Sequence, residues 1–124
     1  MAKILIVEDD SNLREAYINV LEIDGHSLVG VESVSEAIES LSRVTPDVVF
    51  LDMQLLDGSG RAVLSFIHRV SCLSHTKIVV VSGYVDLRAQ AVRNWGADSF
   101  LAKPFTVADL KFTLSNLNIS RASA

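Results

Sequence analysis

The stretch ILIVEDD, Ile4 to Asp10, decides the reading of this 124-residue chain. Its unbroken apolar run, Ile4 to Val7, reads as a strand covered on both faces, as in a parallel sheet. The run then ends in Glu8, Asp9 and Asp10, where a helical pattern begins. Acids packed so closely repel one another, and something positive is expected among them.

Working outward, similar short runs recur at Ser27 to Val31, Val48 to Leu51, Ile78 to Val81 and Ser99 to Ala102, separated by amphipathic stretches. Leu13, Tyr17, Val20 and Leu21 repeat at helix spacing, and Gly25 closes that helix. Ser33-Val34-Ser35-Glu36 reads as a capping box opening a second helix, whose connection ends at Pro46. Val63, Leu64 and Ile67 mark a third; Leu87, Ala91 and Trp95 a fourth, stopped at Gly96. Thr106 to Asp109 caps a fifth, with Leu110, Leu114 and Leu117 on its stripe. The alternation predicts an α/β, doubly wound (βα)5 fold with helices on both faces of a five-stranded parallel sheet. Of the strand orders open to it, the flavodoxin-like 2-1-3-4-5 makes the first and third strands neighbours at the switch point where ligands bind.

The totals agree with one globular domain: 49% hydrophobic residues against 21% charged. A formal net charge of −4 supplies no basic field, so direct nucleic-acid binding is not expected. The single cysteine, Cys72, excludes an internal disulfide and reads as an ordinary helix-end or loop residue. Four apolar residues before Glu8 are far short of a signal-peptide core, and no run is long enough to span a bilayer. A cytoplasmic protein with no membrane partner is expected.

The chemistry gathers at the strand ends: Glu8 and Asp9 after the first, Asp52 after the third, Ser82 after the fourth and Lys103 after the fifth. Neighbouring strands lie about 4.8 Å apart, so acids ending the first and third can share a hard cation. Mg²⁺ suits this donor set, with Asp9 and Asp52 as direct ligands, Glu8 acting through water and the backbone carbonyl of Gln54 contributing; Mn²⁺ is a candidate substitute. Asp52 can then act as a carboxylate nucleophile toward phosphorus, with Lys103 neutralising charge and the Ser82 hydroxyl bonding a phosphoryl oxygen.

With VEDD, FLDMQLLDGSG around Asp52, VVVSGY holding Ser82 and SFLAKPF holding Lys103-Pro104 in order, the chain resembles the receiver domains of two-component response regulators, CheY-like proteins, over about Lys3 to Leu117. The resemblance implies a receiver domain over 1–118, with 119–124 a tail or the start of a linker. It makes Asp52 the phosphoacceptor, Glu8 and Asp9 the acidic pair, Ser82 and Phe100 the switch residues and Lys103 the invariant lysine, with Pro104 after a cis peptide bond. It implies a histidine kinase or phosphotransfer protein as donor, and a downstream effector or output domain. The output surface is that of the fourth helix, fifth strand and fifth helix, which can also carry a phosphorylation-dependent homodimer. Turnover would be limited to self-phosphorylation from a donor and autodephosphorylation, so the domain is not expected to be an enzyme in the ordinary sense. Leu56 stands in place of a usual proline and Gly83 in place of a common alanine. Gln54, Gly83 and Tyr84 sit where access to the phosphoryl group is set.

Rival readings fit less well. A Mg²⁺-dependent phosphohydrolase with an aspartyl nucleophile needs a second acid, which Asp52-Met53-Gln54 lacks. A flavin phosphate would be repelled by Glu8-Asp9-Asp10, and an unphosphorylated interaction scaffold would not need the full set of site residues. Asp10 reads as a helix N-terminal charge, Asp57-Gly58-Ser59-Gly60 as a turn, and His26, His68 and His75 as solvated side chains near helix ends. Trp95 reads as packed on the sheet, with an exposed partner anchor as the alternative.

Overall fold

The computed structural model describes residues 1–84 and 86–117, so the 119–124 tail lies outside the described residues. The order of elements is β1 (Lys3–Val7), α1 (Ser11–Ile23), β2 (Ser27–Val31), α2 (Val34–Leu41), β3 (Val48–Asp52), β4 (Gln54–Leu55), β5 (Gly58–Ser59), α3 (Gly60–Arg69), a short 3₁₀ turn (Ser71–Leu73), β6 (Lys77–Ser82), α4 (Leu87–Asn94), β7 (Ser99–Ala102) and α5 (Val107–Ser115). The main sheet is parallel, in the order β2-β1-β3-β6-β7. Without the small β4–β5 hairpin, that is the expected 2-1-3-4-5 order.

Two apolar layers hold the sheet. On one face Leu5, Val7, Val49, Leu51 and Val80 pack with Ala37 and Leu41 of α2 and Val63, Leu64 and Ile67 of α3. On the other, Ile4, Ile6, Phe50 and Val79 meet Tyr17 and Leu21 of α1 and Leu110 and Leu114 of α5. Every residue of β3 is buried, which explains its continuous apolarity. Each such Leu, Ile or Phe contributes roughly 1.5–3 kcal/mol by leaving water. Trp95 belongs to the first layer at 9% exposure, with the Arg61 guanidinium 4.8 Å from its ring centroid; it is a core residue and not an exposed anchor.

Several local expectations need correction. β2 is a sheet edge with Ser27, Val29 and Gly30 exposed and Leu28 and Val31 partly buried, so its apolar run does not mean two covered faces. The loop after β3 is a β4–β5 hairpin turning at Leu56-Asp57, and Asp57 does more than turn the chain. Its carboxylate accepts the N–H groups of Val34 at 2.8 Å and Ser35 at 3.2 Å, capping α2 alongside Ser33. Glu36 completes no true capping box, since its Oε1 accepts from Glu32 N rather than from the cap residue. Thr106 and Asp109 do make a reciprocal one. His26 and His68 are not merely solvated: Nδ1 of His26 accepts from Ala2 N at 3.0 Å, and Nε2 of His68 lies 2.9 Å from the Trp95 carbonyl.

Glycines end two helices as the sequence suggested. Gly25 (φ 89°) and Gly96 (φ 72°) occupy the left-handed region, open to them without a side-chain clash.

Candidate functional site

The site lies beyond the carboxyl ends of β1, β3, β6 and β7. At the end of β1, Glu8 is held on every side. Its N–H donates to Val31 O at 3.0 Å, and its carbonyl accepts from Arg14 Nη1 at 2.7 Å. Its Oε2 accepts from Asp10 N at 3.2 Å, while Asp10 itself caps α1 through Asn12 N and Leu13 N. Asp10 thus stands at the head of the helix, as the sequence suggested, and its carboxylate is the N-cap.

Asp52 ends β3 in a buried position. Its Oδ1 accepts from Gln54 N at 3.0 Å and its Oδ2 accepts from Lys103 Nζ at 3.1 Å. Lys103 also lies 2.8 Å from Glu8 Oε1, an ion pair too poorly aligned to satisfy that buried oxygen as a hydrogen bond. The lysine thus sits between two acids on neighbouring strands, supplying the positive charge the opening stretch requires. Glu8, Asp9 and Asp52 each direct a carboxylate oxygen into one cluster, all within 4.8 Å of one another.

Ser82, at the end of β6, is 3% exposed; its Oγ accepts from Tyr84 N at 3.0 Å, leaving the hydroxyl proton to donate elsewhere. The Ser82 carbonyl accepts from Lys103 N, and the Lys103–Pro104 peptide bond is cis. Gly83 is open, with nothing within 4 Å of where a Cβ would stand, and Tyr84 and the Gln54 side chain are exposed. Phe100 is buried, and the Arg88 guanidinium lies 4.9 Å from its ring centroid.

Burial pushes the Glu8 carboxyl up to about 7, opposed by Lys103 and reinforced by the negative charge of Asp52. Lys103 is held above its ordinary value: burial pulls it down, and the pairings with Glu8 and Asp52 more than offset that. A crowded acid pocket with one bound ammonium has spare negative charge for a cation.

Comparison with known proteins settles the family. Residues 4–115 match the response regulator receiver domain. The chain belongs to that family. It is 32% identical over 110 residues to the phosphate regulon transcriptional regulatory protein PhoB of Escherichia coli K12, covering 87% of this chain and 48% of PhoB. The receiver domain thus spans about half the length of that relative. A CheY-like receiver domain from Methylobacillus flagellatus superposes with a TM-score of 0.82 at 31% identity, over 93% of this chain and 97% of that one. The receiver domain of the sensor histidine kinase PA1611 of Pseudomonas aeruginosa PAO1, with magnesium coordinated in its active-site cleft, shares the fold at 22% identity. Its TM-score is 0.79, over 92% of this chain and 94% of that one. Receiver domains are signalling modules of two-component systems, working between kinases and output domains. No helix among the described residues of this receiver is long and apolar enough to cross a membrane.

Sequence reasoning named Glu8, Asp9, Asp52, Ser82 and Lys103, and all of them meet at one end of the sheet. It missed Arg14, Arg88 and the capping role of Asp57. Arg14 stands on a helix six residues from the carbonyl it holds, a reach that apolar periodicity does not register. Asp57 works on amides 22 and 23 residues away, which nothing local announces.

Proposed function

We propose that this receiver domain accepts a phosphoryl group on Asp52, in a Mg²⁺-dependent reaction, from a histidine kinase or histidine phosphotransfer protein. The observation that carries the reading is the meeting of three carboxylates within 4.8 Å, with Lys103 Nζ bridging Glu8 and Asp52. The donor set is all oxygen, which fits Mg²⁺, and the same ligands would take Mn²⁺. Asp9 and Asp52 would hold the ion directly, with Glu8 through water and the Gln54 carbonyl completing the protein's share. Bound there, the cation supplies charge neutralisation for the incoming phosphoryl group.

A carboxylate oxygen of Asp52 attacks phosphorus, and the bond from phosphorus to the donor imidazole nitrogen breaks. The electron pair stays with the imidazole, which takes up a proton. Lys103 is already paired with Asp52 Oδ2 and offsets the charge arriving on the phosphoryl oxygens. The Ser82 proton is left to donate to one of those oxygens. Gly83 leaves the approach open, and Tyr84 and Gln54 stand at its rim, where they influence water access and the lifetime of the phosphoryl group.

Phosphorylation acts on the surface formed by α4, β7 and α5 through Ser82 and Phe100, a new charge shifting populations. The partner is an effector or output domain, or a second phosphorylated copy, and the setting is cytoplasmic. The domain performs phosphoryl acceptance and autodephosphorylation rather than turnover of a free substrate, because Gln54 offers no general acid beside Asp52.

Intact mass after incubation with acetyl phosphate and Mg²⁺ tests the reading. One added phosphoryl group is expected on the wild type, and none on Asp52→Asn or in EDTA. An adduct retained by Asp52→Asn, or formed undiminished in EDTA, overturns it.

A further inference from the structure

The Glu8–Asp9 peptide is fixed from outside the acid cluster. Arg14 Nη1 donates to the Glu8 carbonyl at 2.7 Å. The aliphatic stem of Arg14 crosses β2 at Gly30, where an added Cβ would lie 3.1 Å from both its Cγ and Cδ and 2.8 Å from Ile18 Cδ1. Gly30 pairs with Ile6 in β1, and the next β2 residue, Val31, accepts the Glu8 N–H. Both backbone groups of Glu8 are thus held by one neighbourhood, a β2 carbonyl and an α1 guanidinium lying across a β2 glycine.

We infer that Arg14, seated on Gly30, is a positioning residue for the cation site: by holding the Glu8 carbonyl it sets the direction in which Asp9 presents its carboxylate. The inference rests on the Mg²⁺ reading of the site and adds a residue to it. Geometry and charge predict opposite signs. A guanidinium near the pocket repels a divalent cation, so its loss would tighten binding if Arg14 acted by charge alone. If it acts by holding the peptide, its loss weakens binding by roughly tenfold or more, as is typical of partners that orient metal ligands. Glycine at position 30 follows from the same arrangement, because a methyl group there displaces the arginine stem while leaving every charge in place.

Calorimetric titration with MgCl₂ at pH 7.5, run on wild type, Arg14→Gln, Arg14→Lys and Gly30→Ala, tests this. Thermal melts in EDTA confirm that each variant is folded at the titration temperature. Weaker Mg²⁺ binding is expected in Arg14→Gln, with part of the affinity recovered in Arg14→Lys. A smaller loss of the same sign is expected in Gly30→Ala. Equal or tighter binding by Arg14→Gln, beside a wild type that binds, overturns the inference alone. Should that variant fail to fold, unchanged affinity in Gly30→Ala overturns it instead. A wild type that binds no Mg²⁺ overturns the reading of the site together with the inference.

Discussion

Among the described carboxylates, Glu8 is the one most withdrawn from water. Buried at 1% exposure, it is pushed to about 7 mainly by burial, against an ordinary value of 4.5. Because the folded value is raised, the folded state binds the extra proton. Its stabilising contribution is complete below about 4.5 and lost as the pH rises through about 7. In EDTA, wild type is expected to lose stability between pH 5 and pH 7.5 relative to Glu8→Gln, by on the order of 1–3 kcal/mol. Urea melts of the two proteins at both pH values measure it, and parallel pH profiles would contradict it. Gly60 makes a second prediction at this scale. A Cβ there would collide with the Asp52 carbonyl and stand 3.0 Å from Met53 Cα, both backbone atoms that cannot swing aside. Gly60→Ala is expected to cost about 3 kcal/mol or more, or to shift the β3–α3 connection and with it Asp52. Chemical denaturation reads the first outcome and phosphoryl acceptance the second.

At the scale of elements, helix starts carry much of the local information. Thr106 and Asp109 exchange both hydrogen bonds of a capping box at the head of α5, which follows directly on Lys103-Pro104. Thr106→Ala is expected to cost about 1 kcal/mol, seen as a lower urea midpoint with an unchanged slope. The head of α2 is capped from two directions, by Ser33 within the chain and by Asp57 across the hairpin. The Val34 and Ser35 amides hold the Asp57 carboxyl below its ordinary value, the Val34 N–H contributing most. Its contribution is therefore present above the ordinary carboxylate range and lost as the pH falls through the lowered value. Asp57→Ala is expected to lower the melting temperature modestly at pH 7. The loss should shrink as the pH falls below the ordinary carboxylate range and the wild-type carboxylate is itself protonated, and a pH-independent difference would argue against the charged cap.

At the scale of the whole molecule, a parallel sheet whose central strands are buried on both faces brings four strand ends to one edge and makes the site a property of the fold. A cation that binds the assembled carboxylates and not the unfolded chain stabilises the protein by mass action. At free Mg²⁺ of about 100 times the dissociation constant, the gain is about 2.7 kcal/mol. Scanning calorimetry with and without Mg²⁺ should show the midpoint rising in wild type, with most of the shift absent in Asp52→Ala. An equal shift in both would place the ion elsewhere.

Legible in the linear sequence were the alternation of strands and helices, the buried character of β1, β3 and β6, the caps at Ser33 and Thr106 with the closing glycines Gly25 and Gly96, and which residues stand at the strand ends. Those features depend on period, composition and near neighbours, which a linear chain displays. The expected 2-1-3-4-5 order already put β2 at an edge, but only the tertiary structure showed how exposed its apolar run is, since a central strand and an edge strand can carry the same run. Tertiary structure alone showed Lys103 between Glu8 and Asp52, Asp57 capping a helix that starts 23 residues before it, and Arg14 reaching over Gly30 to a backbone carbonyl. Each is a short-range force between groups distant in the chain, and its partner is chosen only when the sheet closes and brings them within a few ångströms.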